Sequence, residues 1–471
     1  MYINYLIVRN IKLKTHSTML PLNLCLLYFI NIVIGITTSE TLPVLPLLIN
    51  SKSLSQFTNG AIISLFSFSM LLFIPLTPKI SQHFGAQITM IFSITAMALS
   101  TFLNALCEFN NNIYIFIVVC SISRICHGIG VAICSTLLCA LAAGEKNEKY
   151  NIEWIIGNVE LTSNIGELFG PIISSFLLKF NLFCIPLFAC SILNVFALIA
   201  AFFIKYKNEE IETQSENKKL KVNEIVHRLN GKIILPLVCI ITDMISSNFF
   251  QPSMQIHYKE KFGIGEDISG YFFMIPIAAF ILTIPIFIKI IKNRNYFITM
   301  IVGILLNALF VLFISTIKLI PQHIAYGLIG LMMIGITSSL MTVPQFVPVL
   351  QSLKEDYQIE EKKANDYGSV LLNLSIRVGD GIGPLLGGMI NNIYNFDITC
   401  VIMCFMNVLT AGIFCIYVAM KKTKKDDSRN IKDNKPMIEL SSKIKENNSH
   451  NETQNNFDVE DNKERNKELL K

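Results

Sequence analysis

The fold of this chain is decided by two matching stretches, residues 160–175 with the sequence ELTSNIGELFGPIISS and residues 373–388 with the sequence NLSIRVGDGIGPLLGG. A single offset of 213 residues superimposes the pattern Gly-acid-x-x-Gly-Pro of the first stretch on the second. The aligned residues are Gly166, Glu167, Gly170 and Pro171 in the first, and Gly379, Asp380, Gly383 and Pro384 in the second, which Gly387 extends by one turn. Small residues four apart allow close helix packing, and proline bends a helix inside a membrane. The repetition predicts two related halves that each carry the same bent, closely packed helix.

Long apolar runs, such as LCLLYFINIVIGI at residues 24–36, dominate the rest of the chain. Hydrophobic residues make up 52% of the 471 residues and charged ones only 15%, against about 25% charged in a typical soluble domain. A helix needs about 20 apolar residues to cross a bilayer, so we predict an all-α integral membrane protein. The twelve predicted spans lie near 21–49, 58–78, 86–107, 113–143, 152–178, 181–204, 232–256, 266–291, 295–317, 320–352, 364–391 and 395–421.

The predicted spans form two groups of six. The N-terminal bundle covers residues 21–204 and the C-terminal bundle covers 232–421, with a charged loop at 205–231 between them. Residues 1–20 are the predicted cytoplasmic N-terminus. Residues 422–471 are rich in Lys, Asn, Asp and Glu, a composition that is typical of a disordered tail.

Lysine and arginine residues are sorted by membrane side. With both termini cytoplasmic, segments on that side carry 32 of the 39, the outer loops carry five, and the spans carry two. Without the thirteen in the tail, the inner side still carries 19. The positive-inside rule therefore predicts a multi-pass protein with both termini cytoplasmic. The sequence does not distinguish the plasma membrane from an intracellular vesicle membrane.

The twelve cysteines all lie in apolar runs, and none forms a C-x-x-C pair near histidine. We interpret them as small packing residues and expect no metal site and no disulfide framework. The formal charge of +5 does not indicate nucleic-acid binding, because the basic residues are sorted by membrane side. The sequence has no nucleotide-binding P-loop, so an ATP-driven pump is not expected. The expected partners are the lipid bilayer and a small-molecule substrate, and the protein is expected to be a monomer.

The two Gly-x-x-x-Gly-Pro elements resemble the antiporter motif of the major facilitator superfamily, which lies in the fifth helix and has a counterpart in the second half. Residues 124–130, RICHGIG, resemble the Arg-x-x-Gln-Gly-x-Gly element of that superfamily's fourth helix. They include Arg124 and Gly128, while His127 replaces the usual glutamine. The resemblance implies a major facilitator fold of 12 transmembrane helices as two six-helix bundles, with a cavity at their interface.

The loop between spans two and three is similar to a third element of the superfamily, Gly-x-Leu-x-Asp-Arg-x-Gly-Arg-Arg. Gly85 and the hydrophobic spacing are kept, but Gln82 and His83 replace the acidic and basic residues. The charge network that usually gates this loop is therefore in doubt. The resemblance covers nearly the whole chain up to about residue 420.

Within the superfamily, the chain resembles the drug:proton antiporter branch and its vesicular amine and polyamine transporter-like members. The stretch Gly157-Asn-Val-Glu160 and the end of span seven, at Gln251-Pro252, carry this likeness. The acidic positions of monoamine carriers, placed by motif spacing, are all uncharged here and fall on Ile34, Gln251, Thr337 and Asn373. This argues against a monoamine or acetylcholine carrier.

Seven charged residues are embedded away from the ends of the predicted spans: Glu40, Glu160, Glu167, Asp243 and Asp380 against Arg124 and Arg377. A central charge costs about 2.5–3.5 kcal/mol in a membrane, so these residues must pair, hydrate or bind protons. Arg377 and Asp380 are three apart on one helix face and can pair, either in a static bridge or in the transport site. Glu160 is the principal candidate for a substrate or proton carboxylate. We expect Glu167 to act in helix packing or gating.

The other candidates have two interpretations each. By resemblance Arg124 couples proton movement to conformation, and the alternative is a hydrogen-bond hub within the helix bundle. Glu40 either replaces the missing acid of span one in part or lines an outer vestibule. Asp243 could take the role that the uncharged Gln251 cannot, and Asn373 completes the set as an uncharged counterpart in span eleven.

These features predict a secondary transporter that works by alternating access. The expected activity is proton-coupled antiport of a small organic cation, such as a polyamine, an amine or a drug-like molecule. No cofactor is expected, and the proton gradient supplies the driving force. Two alternatives stay open: a proton-linked carrier of an organic anion or other metabolite, with Arg124 and Arg377 as the anion clamp, and a non-transporting nutrient sensor. The sequence shows no nucleophile, base and metal constellation, so we do not expect an enzyme.

Overall fold

The computed structural model describes residues 21–145, 152–206, 230–291, 295–317 and 321–420. The predictions for the N-terminus, for most of the central loop and for the C-terminal tail fall outside the described residues. A boundary between two compact units lies after Gly412, and the second unit contributes only the end of one helix to the described residues.

All regular secondary structure in the described residues is helical. The helices are α1 (Leu22–Ser39), α2 (Thr41–Ser51), α3 (Gln56–Phe73), α4 (Thr77–Phe84), α5 (Ala86–Cys107), α6 (Ile113–Gly144), α7 (Ile152–Leu178), α8 (Cys184–Phe202), α9 (Gly231–Asn248), α10 (Met254–Phe262), α11 (Glu266–Ser269), α12 (Met274–Ile291), α13 (Tyr296–Phe313), α14 (Ile324–Thr342), α15 (Phe346–Glu355), α16 (Glu361–Ile393) and α17 (Phe396–Met420). Two short 3-10 turns, Ile74–Leu76 and Gly270–Phe273, connect neighbouring helices.

Eleven segments of the described residues are long and apolar enough to cross a membrane by length and composition. The remaining predicted span is span eleven, at 364–391. It lies in α16, a helix of 33 residues that carries Arg377 and Asp380 and is therefore more polar. Its stripe of glycines packs against span seven, so α16 belongs to the same helical bundle as the apolar segments. The all-helical membrane fold predicted from the apolar runs is confirmed. The division into bundles at 21–204 and 232–421 stays a prediction at those boundaries.

Spans one, seven and ten each consist of two α-helices rather than one. Span one changes from α1 to α2 at Glu40, span seven from α9 to α10 around Pro252, and span ten from α14 to α15 around Pro344. Proline has no backbone N–H, so it cannot complete the hydrogen bond to the carbonyl four residues earlier. Each break therefore leaves backbone carbonyl groups without their helical partners inside the membrane region.

The repeated glycine stripes hold equivalent helix pairs together in the two halves. In the first half, a Cβ on Gly166 would lie 2.9 Å from the Cα of Gly35, so α7 and α1 pack backbone to backbone. In the second half, a Cβ on Gly379 would lie 2.5 Å from Cβ of Met244, and one on Gly383 would lie 3.1 Å from Cβ of Asn248. The same motif therefore joins span five to span one and span eleven to span seven.

Replacing Gly170 by Val is expected to destabilise the first half by about 1–3 kcal/mol, because overpacking forces neighbouring atoms apart. A Cβ at this position would lie 2.7 Å from the backbone nitrogen of Glu40 and would also meet the hydroxyl of Ser39. Thermal unfolding of the purified protein measures the change. Gly412→Val is the matched control, because a Cβ there meets nothing within 4 Å. Equal melting temperatures for the two variants would contradict this packing.

The two halves meet on one side of the membrane. We call the side where α1 begins at Leu22 the terminal side, and the opposite side the far side. On the far side, Nδ2 of Asn59 donates to the carbonyl oxygen of Pro252 at 2.7 Å, and a Cβ on Gly60 would lie 3.1 Å from the Cα of Gly388. These contacts join span two to spans seven and eleven, so they connect the first half to the second.

A similar contact joins span five to span eight. A Cβ on Gly270 would meet the hydroxyl of Ser175 and would lie 2.9 Å from Cβ of Pro43. Ser175 is aligned with Gly388 by the 213-residue offset, so both halves use the same position of the repeat to close the far side.

On the terminal side, an ion pair fastens span seven to span ten within the second half. Nζ of Lys232 lies 2.8 Å from Oδ1 of Asp356, and the side chains of Asn230 and Ser352 each donate to Oδ2 of Asp356 at 2.8 Å. The hydrogen bond from Lys232 holds the pKa of the Asp356 carboxyl below its ordinary value. This pair is partly exposed, so we expect it to add at most about 1 kcal/mol to stability.

Candidate functional site

A charged cluster on α16 lies where this helix faces the first half. Nη1 of Arg377 donates to Oδ2 of Asp380 at 2.9 Å, which is the pairing predicted from their spacing. The other carboxylate oxygen of Asp380 accepts from Nδ2 of Asn248 in α9 at 3.0 Å, and Asn248 in turn accepts from Nε2 of Gln251. Arg377 and Asp380 are only partly buried. The cluster is therefore held on one side by α9 and open on the other.

Glu167 approaches this cluster from the first half. It interacts electrostatically with Arg377 and Asp380 of α16 and with Glu160, two turns earlier on α7. Glu160 and Glu167 are seven residues apart, so they share one face of the helix. Three carboxylates, those of Glu160, Glu167 and Asp380, thus share the interface between the halves with one guanidinium, that of Arg377.

This interface is closed on the far side and accessible on the terminal side. Glu160 and Asn373, which the 213-residue offset pairs, are both exposed, and each lies nearer the terminal end of its helix than the glycine stripe. The amide of Asn373 donates to the backbone carbonyl of Ser369 at 3.0 Å, one turn earlier. The charged cluster therefore lies between the far-side contacts and the exposed side chains of Glu160 and Asn373.

Arg124 lies in the interior of the first half, apart from the charged cluster. Its Nη1 donates to Oγ1 of Thr41 at 3.2 Å, and its guanidinium carbon lies 4.8 Å from the centre of the Phe66 ring. It is 4% exposed. Arg124 and Arg377 therefore bind different partners on different helices.

Glu40 is wholly buried at the break between α1 and α2, which does not fit the predicted outer-vestibule position. It interacts electrostatically with Arg124 and lies beside Cys190 of α8. Neither of its carboxylate oxygens has a hydrogen-bond partner among the described residues. Arg124 binds the neighbouring residue, Thr41, so the pair joins span one to span four inside the first half.

The rest of the span-four motif packs against span two. The ring of His127 lies 5.4 Å from that of Phe66, and neither of its nitrogens has a hydrogen-bond partner among the described residues. A Cβ on Gly128 would meet the hydroxyl of Ser69 and the backbone of Phe66. Phe66 therefore contacts Arg124, His127 and Gly128 of the motif, and no sequence pattern singles it out.

Asp243 is wholly buried between span seven and span ten. Its Oδ2 accepts hydrogen bonds from Oγ of Ser338 at 2.9 Å and from Oγ1 of Thr342 at 3.1 Å. Gln251, eight residues later, faces Asn248 and the charged cluster instead. Asp243 and Gln251 thus have different hydrogen-bond partners, and the prediction that Asp243 takes the role of Gln251 stays a prediction.

The remaining motif glycines also have definite roles. Gly85 ends α4 with a φ of 83°, a left-handed conformation that glycine adopts without strain, and it turns the chain into α5. Gly387 packs against the backbone of Phe249, where α9 ends, and Pro384 lies inside α16 against Gly60. Pro171 is buried inside α7, the equivalent position in the first half.

Sequence reasoning missed a buried polar chain in the second half. Oγ of Ser246 donates to Asn407, Nδ2 of Asn407 donates to Oδ1 of Asn307, and Nδ2 of Asn307 donates to Oγ1 of Thr337. These residues come from spans seven, twelve, nine and ten. The offset of 213 pairs Asn407 with Asn194, and this repeated asparagine was the available signal.

The described residues contain no group of three or more His, Cys, Asp or Glu side chains that could hold a metal ion. All twelve cysteines are free.

Residues 27–358 match the family model of the Major Facilitator Superfamily. The chain belongs to this superfamily. The resemblance seen in the repeated motifs is confirmed, and with it the major facilitator fold. The human MFS-type transporter SLC18B1 is a similar curated protein, 21% identical over 331 residues that cover 67% of this chain and 69% of the human protein.

Solved structures of other major facilitator proteins share the fold. The match with the nucleoside transporter NupG covers 84% of this chain and 99% of the NupG chain, with a TM-score of 0.63 and 12% identity. The match with a bacterial homologue of the human lysosomal transporter Spinster covers 83% of this chain and 95% of the homologue, with a TM-score of 0.68 and 11% identity. The match with the D-xylose-proton symporter covers 83% of this chain and 96% of the symporter, with a TM-score of 0.63 and 15% identity. Such low identities show the fold and not the substrate.

Membership in this superfamily establishes a multi-pass membrane protein that transports a solute and is not an enzyme. The expectation of secondary transport is confirmed at this level. The substrate, the coupling ion and the direction of exchange are questions for the site itself.

Proposed function

We propose that this protein exchanges protons for a small organic cation by alternating access. The observation that carries the proposal is the charge at the interface between the halves, where Glu160, Glu167 and Asp380 face a single base, Arg377. Since Arg377 neutralises Asp380, the other two carboxylates have no cationic partner in the cluster. A carboxylate in such a cavity is stabilised when it takes up a proton or a cationic ligand.

Competition between protons and the organic cation for the same carboxylates would couple proton movement to cation movement. In the conformation that is open to the terminal side, Glu160 is exposed and can bind a cation or release it. Glu167 lies deeper, between Glu160 and the paired Asp380. Protonation of these two side chains removes the negative charge that holds the cation, so proton uptake and cation release accompany each other.

The substrate class is tested with the purified protein in proteoliposomes that carry an imposed pH gradient. Radiolabelled spermidine, a permanently charged quaternary ammonium ion, a dicarboxylate and a nucleoside form the panel. We expect saturable, gradient-dependent uptake of at least one cation, which protein-free vesicles lack. Uptake of the anion and of no cation would support the organic-anion alternative, and tight binding without flux of any compound would support the sensor.

Replacing Glu160 by Gln is expected to abolish uptake driven by the pH gradient, because the exposed carboxylate that exchanges proton and cation is lost. Initial uptake rates of the cation identified in the panel measure the effect. Glu260→Gln, a matched change of an exposed residue on the far-side helix α10, is expected to keep the normal rate. Normal gradient-driven uptake by Glu160→Gln would remove Glu160 from the mechanism.

A further inference from the structure

The second half contains a buried cluster of oxygen atoms that the transport mechanism does not use. Asp243 of α9 contacts the last turn of α14, where the hydroxyls of Ser338 and Thr342 lie 2.9 and 3.1 Å from its Oδ2. Asp243 is 0% exposed, and its Oδ1 has no hydrogen-bond partner among the described residues. A buried carboxylate with a free oxygen is costly unless a positive charge neutralises it.

The break in span ten adds negative charge at the same place. The helix α14 ends at Thr342, and the backbone carbonyl of Leu340 cannot receive its helical hydrogen bond because residue 344 is proline. The C-terminus of a helix carries a partial negative charge that arises from such free carbonyl groups. Asp243 therefore lies against the negative end of a half-helix, an arrangement that disfavours the carboxylate and favours a cation.

Gln345 supplies a further unused oxygen in this break. Its side chain is 0% exposed, and neither its oxygen nor its nitrogen has a hydrogen-bond partner among the described residues. It lies beside Cys239, which is one helical turn before Asp243 on α9. The Cys239 thiol is at most a weak hydrogen-bond partner, so this buried amide keeps an oxygen that can bind a cation.

We propose that a sodium ion binds between span seven and span ten. The carboxylate of Asp243, the hydroxyl oxygens of Ser338 and Thr342 and the amide oxygen of Gln345 are its ligands. The two hydroxyls now donate to Asp243, and they become ligands when their hydrogens rotate away. An all-oxygen set suits a hard cation rather than a transition metal.

The proposed sodium site differs from the expectation, based on the sequence, that the protein has no metal site. It also lies outside the charged cluster formed by Glu167, Arg377 and Asp380, although Asp243 interacts electrostatically with Asp380. Sodium binding and cation–proton exchange are therefore separate properties, and either can fail in an experiment while the other holds. A bound sodium ion would hold α14 to α9 at the break and stabilise the second half.

The experiment compares thermal unfolding of the purified full-length protein in sodium, potassium and choline chloride at equal ionic strength and alkaline pH. We expect a saturable rise of the melting temperature in sodium alone, because a ligand that binds only the folded state stabilises it. Binding of radioactive sodium ions gives the affinity directly. Asp243→Asn and Thr342→Val are each expected to weaken binding by more than about tenfold.

Glu260→Gln, a change of an exposed carboxylate on α10, is expected to keep the sodium response of the wild type. Thr342→Val keeps the charge of Asp243, so it tests the site even if Asp243→Asn fails to fold. A melting temperature without any sodium dependence would overturn the proposal, and so would an unchanged sodium affinity in Thr342→Val. A stabilisation by acid that sodium does not reproduce would also overturn it, because Asp243 would then bind a proton.

Discussion

Replacing Asp380 by Asn is expected to reduce uptake of the organic cation at least about tenfold and to weaken its binding. Asp380 bridges two helices, since one oxygen accepts from Arg377 at 2.9 Å and the other from Asn248 at 3.0 Å. Its loss leaves the guanidinium of Arg377 without its counterion in the cavity, where it repels a cationic substrate. Arg377 and Asp380 are only partly buried, and a tenfold change in affinity corresponds to about 1.4 kcal/mol.

Two further variants show whether charge or misfolding causes this loss. The double variant Arg377→Gln with Asp380→Asn removes the unpaired guanidinium and keeps Glu160 and Glu167, so we expect it to recover part of the cation binding. Asp356→Asn, the matched change at the terminal side, is expected to transport normally. If Asp380→Asn kept full cation uptake, or if the double variant bound cation no better than the single one, the charge argument would be wrong.

Replacing Gly388 by Ala is expected to prevent closure of the far side and to lower transport about tenfold. A Cβ at this position would lie 3.0 Å from the Cα of Gly60 and would also meet the backbone carbonyl of Gln56. Backbone atoms cannot move aside as a flexible side chain can, so α16 and α3 must separate. Overpacking of this kind costs about 1–3 kcal/mol, and here the cost falls only on the conformation with a closed far side.

Hydrogen–deuterium exchange measures the separation of α16 from α3 and requires no attached probe. We expect faster exchange in Gly388→Ala at the far end of span two and around Pro252, where Asn59 makes its contact between the halves. Gly368→Ala is the control on the same helix, because a Cβ there meets its nearest atom only at 3.6 Å. Unchanged exchange at the far side in Gly388→Ala, together with normal transport, would contradict the assigned closure.

The local parts of the site could be predicted from the sequence. The three-residue spacing of Arg377 and Asp380 fixes their pairing on one helix, and the four-residue spacing of Gly166 and Gly170 predicts a close helix contact. The 213-residue offset then places both features at equivalent positions. Such properties depend on helical periodicity alone, which the sequence shows directly.

The contacts between distant helices could not be predicted in this way. Asn248 completes the charged cluster, but its partner Asp380 is 132 residues away, and an asparagine inside a helix has no local pattern that names its partner. The position of Glu40 along span one is compatible with a central cavity or with an outer vestibule. Only the contacts with Arg124 and Cys190 show that it lies inside the first helical bundle. Pro344 was visible in the sequence, yet proline either kinks or breaks a membrane helix, depending on its neighbours.

The central claim is that proton movement is exchanged for movement of an organic cation at the carboxylates between the halves. The most direct measurement follows the internal pH of acid-loaded proteoliposomes with a trapped dye while a permanently charged quaternary ammonium ion is added outside. Such an ion cannot carry protons across the bilayer as a free base. The account predicts that the interior becomes more alkaline with wild-type protein, as protons leave in exchange, and that Asp380→Asn and protein-free vesicles show no change. Accumulation of the cation at an unchanged internal pH, or alkalinisation that persists in Asp380→Asn, would contradict it.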